Sequence, residues 1–375
     1  MSAGRTGVGH YARELILRLP EVDGGATYVA WYLNARRAIR PWRWGRRFFP
    51  PRPNLVERWT PIPATWFERA SMRYERPALE RLVRFDVLFA PNFVPPPTAT
   101  RRLVITVHDL AFRRFPETAP LATRRWLKRL DRAVRQAAEV ITPSEATRAD
   151  LLDLYPVEAD RVTVIGHGVD HDVFRPASDE EVARVRRRYG IDGPYLLFVG
   201  GLEPRKNLAS LLRAYAGLPD DLRPALVLAG ASVPWNPEGR SAVDEELQRL
   251  EPDVRRGVTL TGYVSDPDRA PLYTGAEALA FPSRYEGFGF PVLEAMACGT
   301  PVVTSDVSSL PEVAGGDAIL VDPTDVGSIS AGLRRVLADD GLARRLRAAG
   351  PPRAARFTWD EAARRTAEVL HRAAR

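Results

Sequence analysis

Residues 281–304, FPSRYEGFGFPVLEAMACGTPVVT, constrain the fold of this chain more than any other stretch. They read as strand end, glycine loop, helix, tight turn and strand, the unit from which parallel α/β sheets are built. Pro291 suits the first helical position, where a missing N–H costs nothing, and Gly299 with Pro301 supplies the stop. A helix starting just past Gly287, Phe288 and Gly289 aims N–H groups and its positive end at the space above a strand. That is an anion site suited to phosphate.

Glu286 stands before this loop and Glu294, eight residues on, falls in the predicted first turn of the helix. Two carboxylates so spaced can reach opposite ends of one extended ligand, which suits a sugar nucleotide. The alternative is a solvated loop residue at Glu286 and a favourable helix charge at Glu294. With its flanks, the pattern Phe281, Pro282, Ser283, Glu286, Gly287, Phe288, Gly289, Phe290, Pro291, Glu294, Ala295, Gly299, Pro301 and Val302 resembles the signature of retaining glycosyltransferases of family 4. Those enzymes have the two-domain GT-B fold. The resemblance implies that Glu286 contacts hydroxyls of the donor sugar and that Glu294 binds the ribose. It also places Gly287, Phe288, Gly289 and Val292 in the donor site.

At 375 residues the chain is too long for one ordinary core. The expected division is a first Rossmann-like domain over 1–175, a nucleotide-sugar domain over 176–355 and a final helix over 356–375. No run of 18 apolar residues predicts a membrane span, and the N-terminal segment lacks the apolar core of a secretory signal. Cys298 is the only cysteine, which excludes an internal disulfide and fits a cytoplasmic protein. Up to Arg175 there are 29 Lys and Arg against 19 Asp and Glu, whereas the remainder has 25 against 28. The basic half is therefore the one expected to meet something acidic. No helix-turn-helix, zinc or RNA-binding signature supports nucleic acid. An anionic membrane leaflet or a lipid-linked phosphate acceptor accounts for the charge, placing the protein at the inner face of the cell membrane.

In the first half, residues 4–19 predict a glycine-rich turn and then an amphipathic helix carrying Tyr11, Leu15 and Leu19 on one face. The resemblance places Gly7 and Gly9 at the active-site cleft, after a first strand. Only three residues precede Gly4, too few for that strand, so the expectation is a sheet missing its first N-terminal strand and a natural start upstream. Strands are predicted at 28–33, 55–59, 87–90, 103–107, 140–142 and 162–165, with a basic helix over 121–139. Residues 36–53 interleave arginine with tryptophan and phenylalanine, a composition suited to an anionic membrane surface, or else to a solvated loop. The run ITVHDLAF ends in His108 and Asp109 at the edge where open α/β sheets present ligand groups. The resemblance puts His108 beside the donor sugar, while Asp109 reads as a helix cap. His167 and His171 are four apart, but Gly168 and Asp170 between them deny a helical metal face.

In the second half, the strand over 195–199 ends at Gly200 and Gly201 without the GxGxxG spacing of a dinucleotide site. Arg205 and Lys206 follow between strand and helix, where two fixed cations can hold a diphosphate; otherwise they are surface charges. Further strands are predicted at 225–229, 258–260, 278–281, 301–304 and 319–321, a sheet of about six. By resemblance Gly201, Tyr263 and Val264 belong to the donor site, the last two beside the base. Trp359 anchors the final helix, which in the GT-B fold crosses back to the first domain.

These readings converge on retaining transfer of a sugar, mannose first, from a nucleoside diphosphate sugar to a glycan or lipid-linked acceptor. Glu286, His108, Arg205 and Lys206 are the expected catalytic residues. The segments HDLAF and RFPE resemble bacterial mannosyltransferases of the family and favour GDP-mannose over UDP sugars. No cofactor and no metal are expected, the two cations standing in for a metal at the leaving group. The rival reading is an inactive protein that binds nucleotide sugars or a partner.

Overall fold

A computed structural model describes residues 7–33, 48–74, 76–116, 123–232 and 238–375. The first half contains α1 (Gly7–Val22), β1 (Tyr28–Leu33), β2 (Leu55–Thr60), α2 (Ala64–Tyr74), β3 (Leu88–Ala90), β4 (Leu103–Thr106) and α3 (Ala111–Arg114). It continues through α4 (Thr123–Gln136), β5 (Glu139–Thr142), α5 (Glu145–Leu154) and β6 (Val162–Val164). Strands β3, β4, β5 and β6 pair in that order, all parallel. Alternate residues of the buried strands serve opposite layers. Leu103, Ile105 and Val140 pack towards Leu130 and Val134 of α4. Val104 and Ile141 pack towards Tyr11, Leu15 and Leu19 of α1.

Strands β1 and β2 form a separate parallel pair, and among the described residues β1 does not pair with β3. Correspondingly β1 is only half-buried, with Val29 38% exposed. Of the glycine-rich turn expected over 4–9, Gly4 lies outside the described residues and Gly7 and Gly9 fall in the first turn of α1, where a Cβ at Gly7 would meet the Phe290 ring at 3.3 Å. The basic helix is shorter than its sequence pattern. After Ala137 N–H bonds Ala133, Ala138 N–H turns to the carbonyl of Leu103, and the chain enters the sheet with Glu139 as its first strand residue. Most of 36–53 lies outside the described residues, as does Glu117 of the RFPE segment. Within that stretch Phe48 is exposed, and both Phe48 and Phe49 donate their N–H to Glu57.

The second half runs through α6 (Asp179–Tyr189), β7 (Tyr195–Val199), α7 (Leu208–Ala216), β8 (Ala225–Ala229), α8 (Glu238–Arg249), α9 (Pro252–Arg256), β9 (Val258–Gly262) and α10 (Asp266–Thr274). It continues with β10 (Ala278–Phe281), α11 (Phe290–Ala297), β11 (Val302–Ser305), α12 (Leu310–Ala314), β12 (Ile319–Val321), α13 (Val326–Ala338) and α14 (Asp340–Ala354). The sheet is six-stranded and parallel in the order β12, β11, β10, β7, β8, β9. Its central strands are buried apolar runs, as a sheet covered by helices on both faces requires. These are two Rossmann-like halves, the GT-B architecture.

The last helix, α15 (Trp359–Ala374), packs on α1 rather than on the second sheet. Trp359, Ala363 and Ala367 bury themselves with Tyr11, Leu15 and Leu19. Arg18 pairs with Asp360, His371 with Asp23 and Arg372 with Glu139 along the rim.

Candidate active site

The ends of β4, β7 and β10 meet at the seam between the two halves. Gly287 makes the closest approach: a Cβ there would lie 1.8 Å from the carbonyl oxygen of His108 and 2.9 Å from the Asp109 side chain. Only glycine admits that contact. The Gly287 carbonyl accepts hydroxyls from Ser144 at 2.8 Å and Thr147 at 3.2 Å, both in the first half. The Glu286 carbonyl accepts Ser308 at 2.5 Å and Ser309 at 2.8 Å, and Ser309 also reaches the Phe288 carbonyl at 2.8 Å. Three consecutive loop carbonyls are thus tied to hydroxyls. Among the described residues, the N–H groups of Gly287, Phe288 and Gly289 have no protein acceptor, although all three residues are buried. Buried N–H groups without partners in a rigid loop are the donors an anion needs.

Gly289, at φ 112°, starts α11, so Pro291 occupies its second position and Glu294 its second turn rather than its first. Glu294 is buried and committed. Nη1 of Arg269 approaches both carboxylate oxygens, at 3.0 and 3.3 Å, and the Tyr273 hydroxyl donates at 2.9 Å. Burial pushes its carboxyl up, against the pull of Arg269. Val292, two residues earlier, is fully enclosed and serves the core beneath the helix. Phe290 stacks on His167 and Phe288 packs tilted against it, under the seam.

Glu286 is the centre of a charge cluster. Lys206 Nζ lies 2.5 Å from one oxygen and Arg205 Nη1 2.9 Å from the other, while Ser283 donates at 2.8 Å. Burial raises its carboxyl, but Arg205 and Lys206 overcome that and hold it at about 2. Arg205 is further fixed by Glu203 at 3.0 Å and by the Tyr285 carbonyl at 3.0 Å. Lys206 is buried above the Phe281 ring, and burial together with Arg205 pushes its ammonium down. The alternative reading of these cations as exposed surface charges does not hold: Lys206 is buried, Arg205 is part-buried, and both are paired. Both are neutralised by carboxylates, Lys206 by Glu286 and Arg205 by Glu286 and Glu203.

His108 is buried among Tyr11, Phe93 and His167. Its Nε2 lies 2.8 Å from the Pro91 carbonyl, which can only accept, so Nε2 carries the proton and Nδ1 is an acceptor. Burial pushes its pKa down to about 4, leaving it neutral under ordinary conditions. Gly201 follows β7 beside the cluster. Val264 is buried beyond β9 and Tyr263 is exposed. Gly9 lies with Gly7 in the first turn of α1.

Sequence reasoning passed over Arg269, Tyr273 and Glu203 as site residues. Their signals were present: Arg269 and Tyr273 are four apart on α10 and so share a face, and Glu203 stands two residues before Arg205. Nothing in the sequence showed which carboxylates they would meet.

Residues 5–173 match Glycosyltransferase Family 4 and residues 181–353 match Glycosyl transferases group 1. The O-antigen chain mannosyltransferase B of Escherichia coli is 36% identical over 286 residues, covering 75% of this chain and 72% of that protein. The chain is a family 4 glycosyltransferase. Among other relatives of this glycosyltransferase, the serotype-specific mannosyltransferase WbdA of Escherichia coli is 31% identical over 60% of the chain. The match spans only 27% of WbdA's length. A sucrose-phosphate synthase from Thermosynechococcus elongatus superposes with a TM-score of 0.71 at 23% identity, over 98% of this chain and 93% of that one. That likeness carries the fold, and the family carries the activity class, hexosyl transfer.

Proposed function

We propose that this glycosyltransferase moves mannose from GDP-mannose to a glycan or lipid-linked acceptor with retention of configuration. The single observation behind this reading is the loop 286–289, with the carbonyls of 286–288 tied back and the N–H groups of Gly287, Phe288 and Gly289 unpartnered among the described residues, beside Arg205 and Lys206. Such a loop suits the diphosphate of a nucleotide sugar. The mannosyl choice draws on the relatives named mannosyltransferases.

In this reading Arg205, Lys206 and the loop N–H groups stabilise the diphosphate as the bond from the sugar's anomeric carbon to the phosphate oxygen breaks. The acceptor oxygen bonds to the anomeric carbon on the same face, and its proton passes to the departing phosphate. Glu286, ionised and held between two cations, orients sugar hydroxyls rather than attacking. A mannosyl ester on Glu286 of the parent protein, detected by peptide mass spectrometry after incubation with GDP-mannose and no acceptor and absent from E286Q, would overturn that assignment.

Thermal unfolding with GDP, UDP, GDP-mannose and UDP-glucose tests the donor. A ligand at ~100 times its Kd adds roughly 2.7 kcal/mol. GDP-mannose should shift the midpoint most, and R205A/K206A should abolish the shift. A response to UDP sugars alone would replace the donor assignment, and no response to any of the four would refute the reading.

A further inference from the structure

Asp109 leaves one carboxylate oxygen unused at the centre of the seam. Its Oδ1 accepts the Ala111 N–H at 3.1 Å, opening α3, and among the described residues Oδ2 has no hydrogen bond and no cation within ion-pair distance. Every other carboxylate around the loop is occupied: Glu286 by Arg205 and Lys206, Glu203 by Arg205, Glu294 by Arg269 and Tyr273, Asp150 by Arg114 and Tyr285. Asp109 is half-buried against Gly287 and lies within electrostatic reach of Arg205, Glu286 and Glu203. It stands on the first half, whereas the cations and both site glutamates stand on the second.

A carboxylate in that position repels a diphosphate and accepts from a hydroxyl. The hydroxyls of the donor sugar already have Glu286. We infer that Asp109 is an acceptor-binding residue, its free oxygen taking a hydrogen bond from a hydroxyl of the incoming neutral sugar opposite Glu286. The inference rests on the glycosyltransferase reading above and adds the side from which the acceptor is held.

The test is Asp109→Asn, with GDP-mannose as donor and octyl α-mannoside as acceptor. Asparagine keeps an oxygen for the Ala111 N–H while replacing the free acceptor atom with an N–H donor. The expected result is an acceptor KM raised at least tenfold, an unfolding midpoint like that of the parent, and a GDP-mannose Kd within twofold. Asp109→Ala should raise the acceptor KM as much and lower the midpoint as well, through the lost hydrogen bond from the Ala111 N–H. An unchanged acceptor KM in Asp109→Asn overturns the inference, and so does a GDP-mannose Kd that weakens in step with it. A parent protein whose midpoint no nucleotide sugar shifts refutes the transferase reading instead, and the acceptor assignment falls with it.

Discussion

Glu312 on the second half caps the helix that Glu145 begins on the first. Its two carboxylate oxygens accept the Glu145 N–H at 2.8 Å and the Ala146 N–H at 2.7 Å. These are orphan donors of a helix start, and an anion there also meets the positive end of the helix. Because the cap comes from across the seam, its energy depends on the two halves being closed. Glu312→Ala should cost about 1 kcal/mol and, without nucleotide, enlarge the radius of gyration measured by small-angle scattering. Unchanged scattering would mean that the remaining contacts, among them those of Ser144, Thr147 and Tyr285, hold the seam without it.

Gly287 tests how tight that seam must be. A methyl group there cannot coexist with the His108 carbonyl at its present position. Gly287→Ala should keep the secondary structure seen by circular dichroism but lose transfer activity by two orders of magnitude or more. Wild-type turnover would show that the contact yields without consequence.

The Glu286 cluster has a signature in stability. Removing its charge leaves Lys206 buried without its counter-ion, and breaking a buried pair from one side costs about 3 kcal/mol. Glu286→Gln should lose roughly that in chemical denaturation, and adding Lys206→Met should restore most of it. In the parent protein the folded pKa, at about 2, lies below the ordinary 4.5, so this contribution is present above pH 4.5 and lost as pH falls towards 2. Equal losses in the single and double variants would contradict the pairing.

His108 acts at milder pH. Its folded pKa, near 4, lies below its ordinary 6.5, so the unfolded chain binds the proton first. The resulting stability is complete above pH 6.5 and drains away as pH falls towards 4. Between pH 7 and pH 5 the parent should lose roughly 2 kcal/mol more than His108→Gln. Parallel losses in the two proteins, measured by denaturant titration, would place the titration elsewhere. His167, pushed down by burial and by His108, contributes in the same direction to both.

The second half was legible because its signals are local. Apolar runs such as Tyr195–Val199 end in glycine turns, and the spacing around Gly289 and Pro291 sets a helix start whatever the rest of the chain does. The face of α1 with Tyr11, Leu15 and Leu19 and the packing role of Trp359 were readable for the same reason. Pairings between residues distant in the chain were not. That Glu286 would neutralise both Arg205 and Lys206 depends on 80 residues of intervening chain. That Asp109 would keep an oxygen free depends on where Gly287 arrives. Periodicity also overran α4, because a helix pattern does not announce that the Leu103 carbonyl will claim Ala138.

The route of α15 has a consequence during synthesis. The apolar side of α1 is made early, yet Trp359, Ala363 and Ala367, which cover it, emerge last. At ~5–20 residues per second the intervening second half takes roughly 10–40 s to appear. Throughout that interval the nascent first half carries an open apolar stripe that its own sequence cannot close. Chaperone capture should therefore peak before the final helix leaves the ribosome and fall once it docks.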